Sequence, residues 1–230
     1  MFSLHPRILP VTPKTSITMK LVAALSSFLL FTLSLAIAIP DGAVPLEVVS
    51  SHPLEARHKC HKSGELPPGY LAPTLMVPIS KDLPDVAFGP TQFPLISPND
   101  FCTIFNLEIP SSGYNQNCTL EFLFPDHKAT YAPYVYNGPG HFTFTGYAFN
   151  SGATDKTTYN KQPPAGPSPP SPPSVLSPGH GYVINAGPCF IPEGQESMEV
   201  SGALCSTDTY FSYLQTADDG CPIGFYVIIS

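Results

Sequence analysis

Proline recurs along this chain often enough to set long helices aside as its main element. Twenty-nine of the 230 residues are proline, against a usual share of about 5%. Inside a helix each would remove a backbone hydrogen bond and clash with the turn before it. What lies between the prolines alternates with the period of a strand. In FCTIFNLEIP, Phe101, Thr103, Phe105, Leu107 and Ile109 share one face; in CTLEFLFP, Leu120, Phe122 and Phe124 do the same. The polar SSGYNQN between them reads as the turn of a hairpin. Further strands are expected from Met76 onward, at Tyr134–Tyr136, His141–Phe149, Gly181–Ala186, Ser197–Gly202 and Gly224–Ser230. Only Asp208–Ala217 reads as a turn or two of helix. The expected fold is all-β, an antiparallel sandwich or partly closed barrel.

The N-terminus sets the compartment expected for that fold. From Leu21 to Ile39 the chain is apolar or small throughout, preceded by Lys20 and ending in Ala36-Ile37-Ala38. That is the pattern of a signal peptide over residues 1–38, cut between Ala38 and Ile39. The alternative is a retained membrane anchor, since the apolar run is almost long enough to span. Residues 1–18 make a long leader, so Met19 is an alternative start. Six cysteines, Cys60, Cys102, Cys118, Cys189, Cys205 and Cys221, all follow the cut. An even number in an oxidising compartment points to disulfides, and six cysteines allow fifteen pairings. Asn117-Cys118-Thr119 is an N-glycosylation acceptor.

Residues 39–75 read as a linker or pro-segment ahead of a β domain at 76–230. Within it, LEARHKCHK offers a protease a site after Arg57, with a solvated loop as the plainer reading. Pro163–Pro178 holds eight prolines in sixteen residues and no charge. It is expected to be a polyproline-like surface loop, a stiff spacer with serines open to O-glycosylation. The chain carries 10 basic and 17 acidic residues, and no Lys or Arg follows Lys161. Without a cationic track, nucleic acid is not an expected partner.

Several phrases occur in order: ISKDLPDVAFGP (79–90), FCTIFNLEIP (101–110), CTLEFLFP (118–125), TTYN (157–160) and CPIGFYVIIS (221–230). Together they resemble the C-terminal domain of the fungal But-two family, named as ubiquitin-three binding proteins. The resemblance covers Val77 to the C-terminus. Its name implies contact with the activating machinery of a ubiquitin-like protein, whereas leader, sequon and cysteines imply an extracellular life. The resemblance also implies that Cys102, Cys118, Cys189 and Cys221 form the family-like set, leaving Cys60 and Cys205 for an additional bridge. Cys102 and Cys118, at opposite ends of the proposed hairpin, are not expected to pair.

Chemistry is sparse. There is no G-x-S-x-G elbow and no C-x-x-C spacing. Around the proposed hairpin, Glu108 and Glu121 would be diagonal neighbours, a pair a glycosidase could use; the plainer reading is a solvated sheet face. Asp82 and Asp85 read as turn caps rather than calcium ligands. Cleavage after Arg57 would expose His58, which with His127, His141 or His180 could chelate copper. No catalytic residue, metal or cofactor is assigned. The expected function is a secreted, glycosylated, non-enzymatic module of the fungal wall or extracellular space, binding wall glycan or an extracellular protein. The aromatic residues of Tyr131–Tyr136 and Tyr210–Tyr213 would serve as contact surface or as core. No membrane attachment is expected after cleavage. A carbohydrate-active enzyme and an intracellular ubiquitin-pathway binder are the alternatives.

Overall fold

Alternation of apolar and polar residues builds ten antiparallel strands, seen in a computed structural model that describes Cys60 and residues 64–166, 170, 172–217 and 220–230. The leader with Ala38 and Ile39, Arg57 and His58 lie outside the described residues. The strands are β1 (Leu75–Ser80), β2 (Leu95–Ile96), β3 (Phe101–Pro110), β4 (Asn117–Phe124), β5 (Tyr134–Asn137), β6 (Phe142–Gly146), β7 (His180–Pro188), β8 (Ser197–Ser206), β9 (Tyr210–Tyr213) and β10 (Gly224–Ile229). They form sheets of order β1-β3-β8-β6, β10-β4-β7 and β2-β9-β5. The first two face each other as a sandwich, and the third closes one end of the shared core. The all-β antiparallel expectation holds.

The expected hairpin does not form. β3 pairs with β1 and β8, while β4 pairs with β10 and β7. A 3-10 turn at Ser111–Gly113 carries the chain from one sheet to the other. Both strands have an apolar row, and they bury those rows against each other's sheet instead of lying side by side. Leu107 and Ile109 of β3 thus meet Cys118 and Leu120 of β4 in one cluster. An alternating pattern specifies a buried face, not the neighbour along the sheet.

β3 is buried on both faces, Glu108 excepted. Its outer face is covered by the segment after β6, where Tyr147 and Ala153 pack on Ile104, Val77 and Ile79. Asn106, 2% exposed, ties that segment down. Its side-chain amide donates to Ala153 O (2.9 Å) and Glu199 Oε2 (3.0 Å), and its carbonyl accepts from Ala153 N–H (2.9 Å). Glu199 also accepts from Gly152 N–H (2.5 Å). The Asn106 amide and the backbone of Gly152 and Ala153 therefore keep partners, as burial requires, whereas the buried Thr158 Oγ1 of the same segment has none among the described residues.

The expected helical turn at Asp208–Ala217 is instead β9. Ser206 Oγ accepts from Asp208 N–H and Thr209 N–H, closing a tight turn, and the chain then alternates with Phe211 and Tyr213 inward. Phe211 is fully buried and is the hub of the core. Its ring lies 4.7 Å from Phe124 and Tyr213, 5.9 Å from Tyr136, and 6.0 Å from Phe122 and Phe142. All three sheets meet on this one side chain.

Two segments outside the strands join the fold. In the first, Tyr70 and Leu71 lie at the free edge of β10: Leu71 and Val227 exchange backbone hydrogen bonds of 2.9 Å, and Tyr70 packs edge-on to Tyr226. The proline-rich segment meets β6 at both ends, with Gly166 N–H donating to Gly146 O (2.8 Å) and Leu176 N–H to Gly140 O (2.9 Å) just ahead of the strand. Leu176 is 1% exposed, so this segment also supplies a core residue. Proline beside an edge strand blocks pairing with another chain.

Phe211→Ala should cost about 3–5 kcal/mol of unfolding free energy, measured by guanidinium titration. Asn106→Ala leaves buried backbone groups of Ala153 without partners and should cost about 2 kcal/mol. Limited proteolysis should then cut within residues 148–162 before the domain unfolds.

Candidate functional site

The inner faces do not fill the sandwich evenly. On β8 the inward positions are Met198, Val200, Gly202 and Leu204, and on β6 they are Phe142, Phe144 and Gly146. Register places Gly146 beside Gly202, with Phe105 on the other side of Gly202. Two neighbouring positions of the wall therefore carry no side chain. A Cβ on Gly202 would sit 2.8 Å from the backbone O of Thr145, so the gap has no room for a larger residue on that strand. Across the sandwich, a bulge between Leu120 and Glu121 sets Asn185 opposite Leu120 and Gly187 opposite Cys118. The result is a cleft of about 550 Å³ between the edges of β6 and β7.

Its floor is aromatic: Phe105 and Phe144 both pack on Phe225, with ring centres 4.6 and 5.8 Å apart. Leu107, Leu120 and Val200 form the walls, and Pro170 of the proline-rich segment and Asn185 stand at the mouth. Phe149 and Phe190 face each other there at 6.0 Å, 47% and 65% exposed. Phe190 has φ +60°, a left-handed backbone that a bulky residue adopts only when its surroundings impose it. They do: Cys189 before it is bridged to Cys118, and Ile191 after it is buried. Among the described residues no Asp, Glu, His, Lys or Arg lines the cleft. A volume of this size has room for roughly 18 waters, which would find few protein partners there. A second hollow, of about 340 Å³ beside Ser111, Tyr114 and Gln195, is walled mostly by exposed loop.

The cysteines pair as Cys60–Cys221, Cys102–Cys205 and Cys118–Cys189, with Cα separations of 5.6, 4.5 and 4.9 Å. This corrects the implied bridge between Cys60 and Cys205. Register decides it: Thr103 opposite Leu204 brings Cys102 on β3 against Cys205 on β8. The loops nest inside one another, spanning 161, 103 and 71 residues. Asn117 is exposed at the start of β4, its backbone paired with Ser230.

The carboxylates separate with the hairpin. Glu108 lies on β3 opposite Glu199 and accepts from Ser197 Oγ (2.5 Å), while Glu121 lies on β4 between Tyr226 and Val183. They are not diagonal neighbours. Asp85 accepts from Asn160 Nδ2, and Asp100, not Asp82, caps the turn by accepting from Asp82 N–H (3.1 Å) and Ser80 Oγ (2.6 Å). His127 stacks on Tyr134 at 3.6 Å, His141 pairs with Asp208 at 2.6 Å, and His180 Nδ1 lies 3.1 Å from Pro178 O. Hydrogen bonds from Thr209 and His141 hold Asp208 below the usual carboxylate range. Among the described residues no group of three His, Cys, Asp or Glu is placed to hold a metal ion. The aromatic runs split by strand parity: Tyr134, Phe211 and Tyr213 are core, while Tyr131, Val135 and Tyr210 face outward. Sequence reasoning missed the cleft residues, because Gly146 and Gly202 lie 56 positions apart and only pairing makes them neighbours.

A family model described as Ubiquitin 3 binding protein But2 C-terminal domain matches residues 71–219. No curated protein and no solved structure matches the chain. Among the described residues no helix is long and apolar enough to cross a membrane.

Burial raises the Glu121 carboxyl above its ordinary value of 4.5. The folded state then holds the proton more tightly than the unfolded one, so ionisation costs stability as pH rises above that value. Glu121→Gln should raise the unfolding free energy at neutral pH by under about 0.5 kcal/mol, since the group is largely solvated. Denaturant titrations should show the gain vanishing as pH falls below 4.5.

Proposed function

The chain belongs to the But2 C-terminal domain family, and from that premise we propose that it is a secreted, glycosylated, non-enzymatic binding module of the fungal surface or extracellular space. The observation that carries this reading is the set of three nested disulfides that uses every cysteine of the chain. Cytosolic thiols are kept reduced, whereas such bridges persist in secreted proteins. Each loop taken singly is worth about 4–5 kcal/mol by closure entropy. That is comparable with the whole stability of an ordinary domain, about 5–15 kcal/mol. The leader ahead of Ile39 and the exposed Asn117 in its sequon agree with that compartment.

A binding role is supported by the chemistry of the cleft, whose lining has apolar walls and, among the described residues, no ionisable acid or base apart from Tyr147. The separation of Glu108 from Glu121 removes the pair on which a glycosidase reading stood. The family description, which speaks of ubiquitin 3 binding, favours a second reading, an intracellular binder of ubiquitin-like activating machinery.

Intact mass and N-terminal sequencing of the protein from its native source separate the two. The extracellular reading expects a start at Ile39, six hydrogens missing, and a glycan lost on Asn117→Gln. It also expects reduction of the bridges to remove at least about 4 kcal/mol of stability. A start at Met1 or Met19, with free thiols and no sugar, overturns it and leaves the ubiquitin-pathway reading.

A further inference from the structure

We infer that the cleft between β6 and β7 is a binding site for one neutral, largely hydrocarbon small molecule, with its hydrogen-bonding end at Asn185. This rests on the binding reading above only in that the molecule is held and not converted; the compartment is a separate matter.

The cleft is a built feature of the sandwich. Gly146 and Gly202 remove two adjacent side chains from one wall, and the backbone of Thr145 keeps position 202 from being filled. At about 550 Å³ it falls within the range of small-molecule sites, roughly 300–1,000 Å³. Its lining states the chemistry. With no charged side chain to pair it, an ionised group inside would go undersatisfied. The chain's net charge of −7 further disfavours an anion at the mouth. Asn185 is exposed there and offers both a donor and an acceptor, suited to a hydroxyl, ester or amide.

Phe190 is the second, independent sign. Its left-handed backbone is strained for an aromatic residue, and strain of this kind collects at ligand clamps. The Cys118–Cys189 bridge and the buried Ile191 impose that backbone and so set the ring at the mouth opposite Phe149, where it stays largely exposed. A polypeptide strand is a poorer occupant. Gly166 and Leu176 of the proline-rich segment already take the acceptors Gly146 O and Gly140 O at the two ends of β6, and β7 ends in Gly187-Pro188, the last without an N–H.

The test is titration of the whole disulfide-bonded protein with an uncharged pyrene-labelled long-chain alcohol, read by fluorescence. One saturable site is expected. Unlabelled alcohol should displace the probe at least about tenfold better than the ionised carboxylate of the same length. Val200→Phe with Leu120→Phe fills the cleft from both walls and should abolish binding while the protein remains folded. Phe190→Gly relieves the left-handed strain, so its unfolding midpoint should rise while probe affinity falls about tenfold. That opposite movement separates a ligand clamp from a packing residue. Absence of saturable binding to the unmodified protein, unchanged affinity in Phe190→Gly, or preference for the carboxylate overturns the inference. So does binding accompanied by dimerisation through β7. Free thiols or an uncut leader would sink the extracellular reading and leave this result standing.

Discussion

The fold depends on one aromatic side chain being reachable from three sheets. Phe211 sits on a four-residue strand that pairs with β2 and β5, elements too short to stand alone. What anchors this small sheet is the burial of Phe211 against Phe124, Phe122 and Phe142, which come from the two larger sheets. Aromatic pairs at these distances add to the area they bury. The small sheet and the sandwich therefore share one core.

The same packing explains where the cleft lies. Around Phe211 and Phe122 the inward positions are large and the space is full. Toward the Cys118–Cys189 end the row passes through Gly202 and Gly146, and aromatic rings are replaced by Leu107, Leu120 and Val200. Phe105, Phe144 and Phe225 mark the boundary and become the floor. Interiors are close-packed elsewhere because every inward residue meets a partner; here two glycines meet each other.

Segments without regular structure complete the barrier around this core. Asn106 fastens residues 152–153 over the outer face of β3, the Cys60–Cys221 bridge brings Cys60 to the start of β10, and Gly166 and Leu176 of the proline-rich segment bond the two ends of β6. These contacts link positions far apart in the chain, which makes closure entropy a large opposing term. Nested disulfides reduce that term in the unfolded state, so a domain with a cleft in its core and many short strands can remain folded.

Much of this was legible locally. The inward rows of β3 and β4 follow from period two, a property of the backbone over a few residues. The excess of proline and the even, late cysteines likewise pointed to a β-protein held by bridges. Other features had no local trace. Leu95–Ile96 is too short for its alternation to register, and Tyr210–Tyr213 was hidden among residues that also suit a helical turn. SSGYNQN suits a hairpin and a crossing between sheets equally well, so it could not say which strand lies beside β3. By itself the sequence determined the class of fold and the buried face of its longer strands, because each depends on neighbours in the chain. Strand partners, disulfide pairing and the Gly146–Gly202 gap were decided by the tertiary structure alone, because each is a meeting of residues between 21 and 161 positions apart.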